Sequence, residues 1–387
     1  MRGGQNSQTE DEVPDVPDDD GADNLGSDDN RKLVAEERRR GRGARSNQTG
    51  RFEANATVAS DDGWDSLSQL DAFKTEVFED TAKSIITRND SPDISFDRSI
   101  NPYRGCEHGC IYCYARPSHC YLGHSAGLDF ESKLYAKSDA AQLLEQELAK
   151  PGYQPQTIAL GANTDPYQPI ERERRITRGV LEVLARTNHP VGIVTKSALV
   201  ARDIDILAPM AAKGLAKVAI SITTLDRKVA RAMEPRAATP SRRLETVRQL
   251  SDAGIPVTVM VAPIIPGLTD HEIESILEAA CAAGANDAGY VLLRLPLEIK
   301  DLFREWLQTE FPGRASRVIN LLQSMHGGKD YVATFGHRQR GSGPYADQIA
   351  LRFKLARKRL SLGTERIGLR NDLFERPKLR GQQLALF

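Results

Sequence analysis

The sequence predicts an α/β fold in which about six strand–helix units form a partial barrel. Two observations lead to this prediction. Short apolar runs alternate with amphipathic stretches, and each pair takes about 30 residues, the length of a βα unit. Six units are too few to close an eight-stranded barrel, so we expect an open sheet. With 387 residues, 40% of them hydrophobic, the chain can bury a large core.

The beginning of the chain predicts disorder. Residues 1–30 are crowded with Asp and Glu, and residues 38–45 are rich in arginine. Such segments lack the apolar residues that offset the entropy of ordering, so we expect residues 1–60 to be a disordered tail, first acidic and then Arg-rich. The arginines form either a phosphate-binding patch or a solvated tail. A helical segment is expected over 61–93.

The partial barrel is expected over 94–296. Its predicted strands are short apolar runs bounded by Gly, Pro or Asn: one before Cys106, then 157–160, 191–195, 218–223, 257–261 and 290–293. The predicted helices between them include 140–148, 177–185, 241–253 and 272–282. Thr239 and Pro240 form a helix start, and Thr269 with Glu272 has the spacing of a capping box.

The C-terminal part of the chain predicts helices and then an exposed tail. Apolar periodicity predicts helices at 299–309, 316–323 and 347–360, within a helical extension over 297–362. Residues 363–387 are expected to be an exposed tail.

The densest chemical signal is a C-x3-C-x2-C loop formed by Cys106, Cys110 and Cys113. Three thiolates can hold three irons of a [4Fe–4S] cluster and leave the fourth iron open. The alternative is a zinc site, closed by Cys120, His108 or His119. Because structural zinc usually takes paired C-x2-C knuckles, the odd set of three favours the cluster.

This loop resembles the radical SAM signature C-x3-C-x-aromatic-C, with Tyr112 as the aromatic residue. The resemblance implies that S-adenosylmethionine (SAM) chelates the open iron and that Tyr112 lies against the adenine. It also implies reductive cleavage of SAM to a 5′-deoxyadenosyl radical, with a flavodoxin or ferredoxin type of electron donor.

Later segments most closely resemble the spore photoproduct lyase, or DNA repair photolyase-like, group, over about 41–360. They follow predicted strands, where barrels place their active sites. The resemblance implies that Lys196 and Ser221 hold the methionyl carboxylate of SAM, that Thr164 also contacts SAM, and that Ile265 and Gly267 pack on adenine. Alternatively, Lys196 is a solvated loop lysine and Ser221 a satisfied strand hydroxyl.

One departure from that group concerns the hydrogen donor. Ala162 stands where the spore photoproduct lyase has a donor cysteine, and an alanine cannot donate a hydrogen atom, so the thymine-dimer reaction does not carry over. The tyrosine after the last cluster cysteine is retained as Tyr114, a candidate catalytic residue. Cys120 is a candidate substitute donor, or else an inert thiol.

The last five residues, Gln383–Leu384–Ala385–Leu386–Phe387, resemble the peptide by which bacterial repair proteins dock on the sliding clamp. A flexible tail that carries apolar anchors suits such docking. The alternative is a tail that folds back and buries Leu386 and Phe387 on its own domain.

Three classes of function remain open. The first is a radical SAM enzyme that acts on nucleic acid in repair or modification. The second is a radical SAM enzyme that acts on a peptide or small metabolite, and the third is a non-catalytic iron–sulfur or zinc protein that binds DNA or a partner. The sequence contains no apolar run of membrane-spanning length and no signal peptide, so we expect a cytoplasmic protein that does not bind membranes.

Overall fold

The computed structural model describes residues 34–54, 71–364 and 367–378. The strands are β1 (Glu76–Glu79), β2 (Ile86–Arg88), β3 (Arg98–Ile100), β4 (Tyr103–Arg104), β5 (Lys133–Ala136), β6 (Ile158–Leu160), β7 (Val191–Thr195), β8 (Ala216–Ser221), β9 (Val257–Ile264) and β10 (Asp287–Leu292). The α-helices are α1 (Leu128–Ser132), α2 (Ala140–Ala149), α3 (Glu171–Arg174), α4 (Ile176–Arg186), α5 (Ile204–Ala212), α6 (Arg227–Met233), α7 (Pro240–Asp252), α8 (Ile273–Ala282), α9 (Ile299–Glu310), α10 (Pro312–Ser324) and α11 (Pro344–Arg359).

A seven-stranded sheet with the order β10-β9-β8-β7-β6-β3-β2 forms the centre of the fold. Six strands of this sheet pair in parallel: β3, β6, β7, β8, β9 and β10. Strand β2 is antiparallel to β3 at the edge. Helices connect the parallel strands, as parallel pairing requires. The predicted partial barrel of six parallel strands is confirmed, and the carboxyl ends of its strands share one edge of the sheet.

A second, three-stranded sheet was not expected from the sequence. Its order is β1-β5-β4, with β1 parallel and β4 antiparallel to β5. The helix expected over 61–93 is therefore wrong in its described part, which contains β1 and β2. The reason is that β5 provides a partner for β1, and the Phe78 ring packs on Tyr135, 5.2 Å between ring centres. Residues 61–70 lie outside the described residues.

The prediction of a disordered tail is wrong for residues 34–54, which pack against the barrel. Arg42, Ala44, Arg45 and Ser46 are buried. The arginines are ordered because their guanidinium groups find partners in the folded body: Arg42 donates to the backbone oxygen of the buried Glu131, and Arg45 pairs with Glu310. Residues 1–33 lie outside the described residues.

The helix boundaries follow the predicted ones closely, but one predicted cap is wrong. The Thr239 hydroxyl accepts from the Arg242 amide and begins α7, as expected. The capping box of Thr269 and Glu272 does not form. Thr269 accepts from the Ile265 amide instead. The Glu272 carboxylate accepts from the amide of Leu225, in the loop after β8. Glu272 therefore joins that loop to the start of α8 instead of completing a capping box.

The predicted C-terminal helices are present as α9, α10 and α11, but residues 325–343 between them form an irregular segment that we call the strap. The Leu292 amide of β10 donates to the Gln339 carbonyl at 2.9 Å. Arg338 Nε lies 2.5 Å from Asp93 Oδ2, in the loop after β2. The strap therefore ties together the two edges of the open sheet.

No helix in the described part of the chain is long and apolar enough to cross a membrane.

Candidate active site

The cysteine loop lies between β4 and the 3-10 turn Arg116–Leu122. Its backbone is fixed at both ends, because the Cys106 amide donates to Phe130 O at 2.9 Å and the Ile111 amide to Met233 O at 3.0 Å. Gly109 has a φ of 67°, in the left-handed region that favours glycine. A Cβ on Gly109 would lie 2.7 Å from Glu131 Oε2, so a side chain does not fit there.

The N-terminal segment touches the loop directly. A Cβ built on Gly43 would lie 1.8 Å from the Gly109 carbonyl oxygen, so the two backbones are in contact. The buried Glu131 carboxylate accepts from the amides of Gly43 and Ala44, both at 2.8 Å, and from Arg116 at 2.5 Å. Arg116 also donates to Cys110 O at 2.9 Å. One buried ion pair therefore holds both the segment and the loop, and its charges are compensated.

The three thiols meet the requirements of a cluster ligand set. Cys106 and Cys110 are buried and Cys113 is half-buried. Burial raises the pKa of the Cys106 thiol well above its usual range. Burial also raises the pKa of Cys110 to about 12, against the effect of the Lys196 ammonium. Because metals bind the thiolate, a bound cationic cluster would offset the cost of deprotonating these sulfurs. The residues present thus fit a [4Fe–4S] cluster on three cysteines.

The fourth ligands considered for zinc have other partners. His119 Nε2 lies 2.8 Å from Lys133 O, Cys120 Sγ lies 3.6 Å from a Glu298 oxygen, and His108 Nδ1 lies 3.3 Å from an Asp165 oxygen. Within residues 34–54, 71–364 and 367–378, no three His, Cys, Asp or Glu side chains are arranged to hold a single metal ion. The zinc alternative is therefore not supported by the arrangement of these side chains.

Asp165 connects the ends of β6 and β7 with the cysteine loop. Its carboxylate accepts from the Thr195 hydroxyl at 2.7 Å and the Lys196 amide at 3.0 Å, and it faces His108. Burial would raise the pKa of Asp165, but His108 and Lys196 hold that pKa well below its usual range. A fixed negative charge therefore lies at the carboxyl end of the strands. The sequence analysis gave Asp165 no role.

Lys196 lies next to the cluster loop, and its predicted contact with the methionyl carboxylate of SAM stays a prediction. Its Nζ is 5.9 Å from the centre of the Tyr112 ring. Burial alone would lower the pKa of Lys196, but the negative charges of Cys110, Glu234 and Asp165 raise it. The side chain is therefore an ammonium ion held close to the cluster ligands, rather than a solvated loop lysine.

A buried network below Tyr112 joins the cluster loop to β8. The Tyr112 hydroxyl donates to Glu234, and Arg243 pairs with the other Glu234 oxygen. Arg243 also donates to the backbone oxygen of Ser221 at 2.9 Å. Glu234 and Arg243 are both buried and pair with each other. The spacing carries no signal for this, because the pair depends on how α6 and α7 pack.

The remaining predicted cofactor residues lie at the carboxyl ends of strands, and their contacts with SAM stay predictions. Ser221 ends β8 and is almost buried. The Thr164 hydroxyl donates to Tyr103 O at 2.7 Å, and Ile265 is fully buried. Gly267 has a φ of 73°, and its amide donates to Asp270.

The two candidate catalytic residues have different surroundings. Tyr114 is 45% exposed, and its hydroxyl donates to the carbonyl of Ala162. Cys120 is 1% exposed; its thiol contacts Glu298, and burial raises its pKa. Tyr114 is therefore accessible from solvent and Cys120 is not, and the catalytic role of either residue stays a prediction.

Arg294 lies beside Tyr114. It forms no ion pair within the described part of the chain, but its charge helps to lower the pKa of the Asp93 carboxyl. The Arg294 guanidinium carbon lies 5.2 Å from the Tyr114 ring centre and 5.8 Å from that of Tyr331. It donates to the Tyr331 hydroxyl at 3.2 Å, and its buried Nε has no hydrogen-bond partner among the described residues. The sequence did not single out Arg294, because an arginine just past a strand has no distinctive spacing.

The comparisons with known proteins agree with this geometry. A family model described as the radical SAM superfamily matches residues 100–280. An uncharacterized protein of Mycobacterium tuberculosis is 36% identical over 230 residues, which are 59% of this chain and 68% of the relative. A radical SAM Nalpha-GlyT isomerase of Pseudomonas phage M6 is 24% identical over 199 residues, 49% of this chain and 39% of that protein.

Among solved structures, a spore photoproduct lyase complexed with dinucleoside spore photoproduct matches with a TM-score of 0.54 and 15% identity. The match covers 73% of this chain and 79% of that chain, and at this identity it shows a shared fold. Together with the matched family model and the cysteine loop, it leads to one conclusion. Residues 100–280 of the chain belong to the radical SAM superfamily, and this family implies a [4Fe–4S] cluster and SAM.

Proposed function

We propose that this protein is a radical SAM enzyme that acts on nucleic acid, in repair or modification. The observation that carries the proposal is Arg294, which lies between Tyr114, next to the cysteine loop, and Tyr331. Its guanidinium is half-buried, and the charge it acts on among the described carboxylates is that of Asp93, with which it forms no ion pair. An anion on a bound substrate would therefore stabilise it further. Phosphodiesters are such anions, and arginine binds them with several parallel hydrogen bonds.

The chain's own residues have distinct roles in this proposal. Cys106, Cys110 and Cys113 hold the cluster, Lys196 neutralises the carboxylate of SAM, and Thr164, Ser221, Ile265 and Gly267 bind the rest of it. When bound, the cluster and SAM supply reductive cleavage of the sulfonium and hydrogen-atom abstraction. The Tyr112 ring, fixed by Glu234, positions the adenine.

Tyr114 is the proposed hydrogen donor to the product radical. Its hydroxyl donates to the carbonyl of Ala162. Ala162 is the position where the resemblance to the spore photoproduct lyase would place a donor cysteine. A phenol can give its hydrogen atom to the product radical, whereas the alanine side chain cannot. The tyrosyl radical that remains returns to the phenol by taking up one electron from the flavodoxin- or ferredoxin-type donor and one proton. The electron donor of flavodoxin or ferredoxin type remains a prediction. Clamp docking also remains one, since Gln383–Phe387 lies outside the described residues.

One solved structure supports nucleic acid over a peptide or metabolite. Its spore photoproduct lyase is complexed with dinucleoside spore photoproduct, and this chain shares its fold.

A deuterium-transfer experiment tests the proposal. Anaerobically reconstituted protein is reduced with dithionite and mixed with SAM and either deuterium-labelled DNA, labelled RNA, or a labelled peptide and metabolite extract. We expect deuterium to enter 5′-deoxyadenosine only with a nucleic acid, because the hydrogen atom is abstracted from the substrate. The Cys110→Ala variant is expected to produce no 5′-deoxyadenosine at all.

Two results would contradict the proposal. Transfer of deuterium only from the peptide and metabolite extract would favour the second class of function. A reconstituted cluster that never yields 5′-deoxyadenosine would favour a non-catalytic protein.

A further inference from the structure

A basic groove lies on the outside of the barrel, between the edge strand β10 and helix α11. It has a volume of about 640 Å³, and its aromatic residues, Tyr290 and Phe353, pack against each other with ring centres 4.7 Å apart. Both rings are buried, so the groove is a firm structural feature of the sheet edge rather than a gap between loops.

The groove is lined by more cationic than acidic side chains. Arg340, Lys354 and Lys358 are exposed, and none forms an ion pair with another residue that the structure describes. Arg357 is neutralised by Asp287 at 2.7 Å, and Asp347 is the remaining acidic residue of the lining. The groove therefore has a net positive charge.

The cations form a row rather than a single point of charge. Lys354 and Lys358 are four residues apart on α11, and thus lie on the same face of the helix. The Arg340 guanidinium lies flat on the opposite wall, 4.2 Å from the Tyr290 ring centre. A row of this kind suits a polymer with regularly repeated anions.

The strap connects the groove to the residues that follow β10. The Leu292–Gln339 hydrogen bond holds the strap along β10, next to Arg340. Arg338 stacks on Phe335, 4.5 Å from guanidinium carbon to ring centre, and pairs with Asp93, whereas Phe335 is 50% exposed. Arg294 follows β10 directly. Two cations, Arg340 and Arg294, thus lie along β10, and the strap adds an exposed aromatic ring, a combination typical of single-strand binding.

From these contacts we propose that the groove between β10 and α11 binds the phosphate backbone of the nucleic acid, outside the active site. The inference rests on the proposed function, because the strand that it places in the groove is the nucleic acid substrate of that function. It assigns Lys354, Lys358 and Arg340 to phosphate contacts, which add affinity without sequence preference.

The test compares two double variants of the full-length protein. Lys354→Gln with Lys358→Gln removes two groove charges. Lys150→Gln with Lys213→Gln is the matched control, since these exposed lysines follow α2 and α5 and do not line the groove. Binding of a fluorescent single-stranded oligonucleotide is measured by anisotropy over a range of salt concentrations.

We expect the groove variant to bind about tenfold more weakly and to lose about 1.4 from the slope of log affinity against log salt, at about 0.7 for each phosphate contact. The control variant is expected to bind like the wild type. Both variants should still cleave SAM without substrate at the wild-type rate, because the groove does not touch the cysteine loop.

Two outcomes would overturn the inference. In the first, the wild type binds the oligonucleotide and the groove variant binds equally well, so that the strand lies elsewhere and the proposed function survives. In the second, the wild type does not bind the oligonucleotide but binds a polyglutamate peptide, and the groove variant binds this peptide more weakly. The groove would then bind an acidic protein segment. Failure of the proposed function is recognised separately, by the deuterium-transfer experiment.

Discussion

At the scale of single residues, the sequence located the cluster ligands because a short loop carries them at fixed spacing. Lys196 was also found by resemblance, and the structure places its ammonium 5.9 Å from the Tyr112 ring centre. Arg294, Glu234 and Arg243 were not predicted in their observed roles. Their partners are far away in the chain, so only the fold brings them together.

The central prediction at this scale concerns Lys196. In Lys196→Gln we expect the KM for SAM to rise about ten- to hundredfold, because a hydrogen bond between charged groups contributes about 1.5–3 kcal/mol. The measurement is 5′-deoxyadenosine formation at varied SAM concentration.

The control for Lys196 is Lys217→Gln, near the N-terminal end of β8 and away from the cysteine loop. An unchanged KM in Lys196→Gln would show that Lys196 does not hold the cofactor.

At the scale of elements, the βα pattern was predictable, whereas the packing of the N-terminal segment was not. An arginine-rich, glycine-rich stretch resembles a disordered tail in composition. It is ordered because Glu131, a buried carboxylate on α1, accepts from two of its amides. Composition cannot reveal an acceptor 88 residues away.

Gly43 tests whether this segment supports the cysteine loop. We expect Gly43→Ala to destabilise the protein by about 1–3 kcal/mol, since its Cβ would overlap a backbone oxygen that cannot move easily. The reconstituted variant should also hold less iron per chain. Thermal unfolding and iron analysis measure the two effects.

Gly313→Ala is the matched control, because a Cβ on this α10 glycine would meet no atom within 4 Å. Equal stability and equal iron content in the two variants would mean that the segment does not support the loop.

At the scale of the whole molecule, the six parallel strands were predicted, but the closing strap and the three-stranded sheet were not. Strand and helix periods are local, so they appear in the sequence. The strap joins β10 to the loop after β2, residues that lie about 200 positions apart in the chain, and no local pattern encodes that contact.

The stability of the whole protein should fall on the acidic side of neutrality. Burial lowers the pKa of both His119 and His189 to about 4, from an ordinary value near 6.5. Below pH 6.5 the unfolded chain therefore binds more protons than the folded one, and the free energy of unfolding decreases as the pH falls towards about 4.

Denaturant unfolding of the metal-free protein between pH 4 and 8 measures this effect. His189→Gln should flatten the pH dependence, because it removes one of the two groups. Stability that does not change over this range would contradict the assignment of two buried neutral histidines.

The most direct test of the central claim is electron-nuclear double resonance on the anaerobically reduced protein, with SAM labelled at its amino and carboxylate groups. The account predicts hyperfine coupling between these labels and the cluster, because three cysteines leave one iron open. A cluster that shows no coupling to SAM, or a protein that binds only zinc, would contradict it.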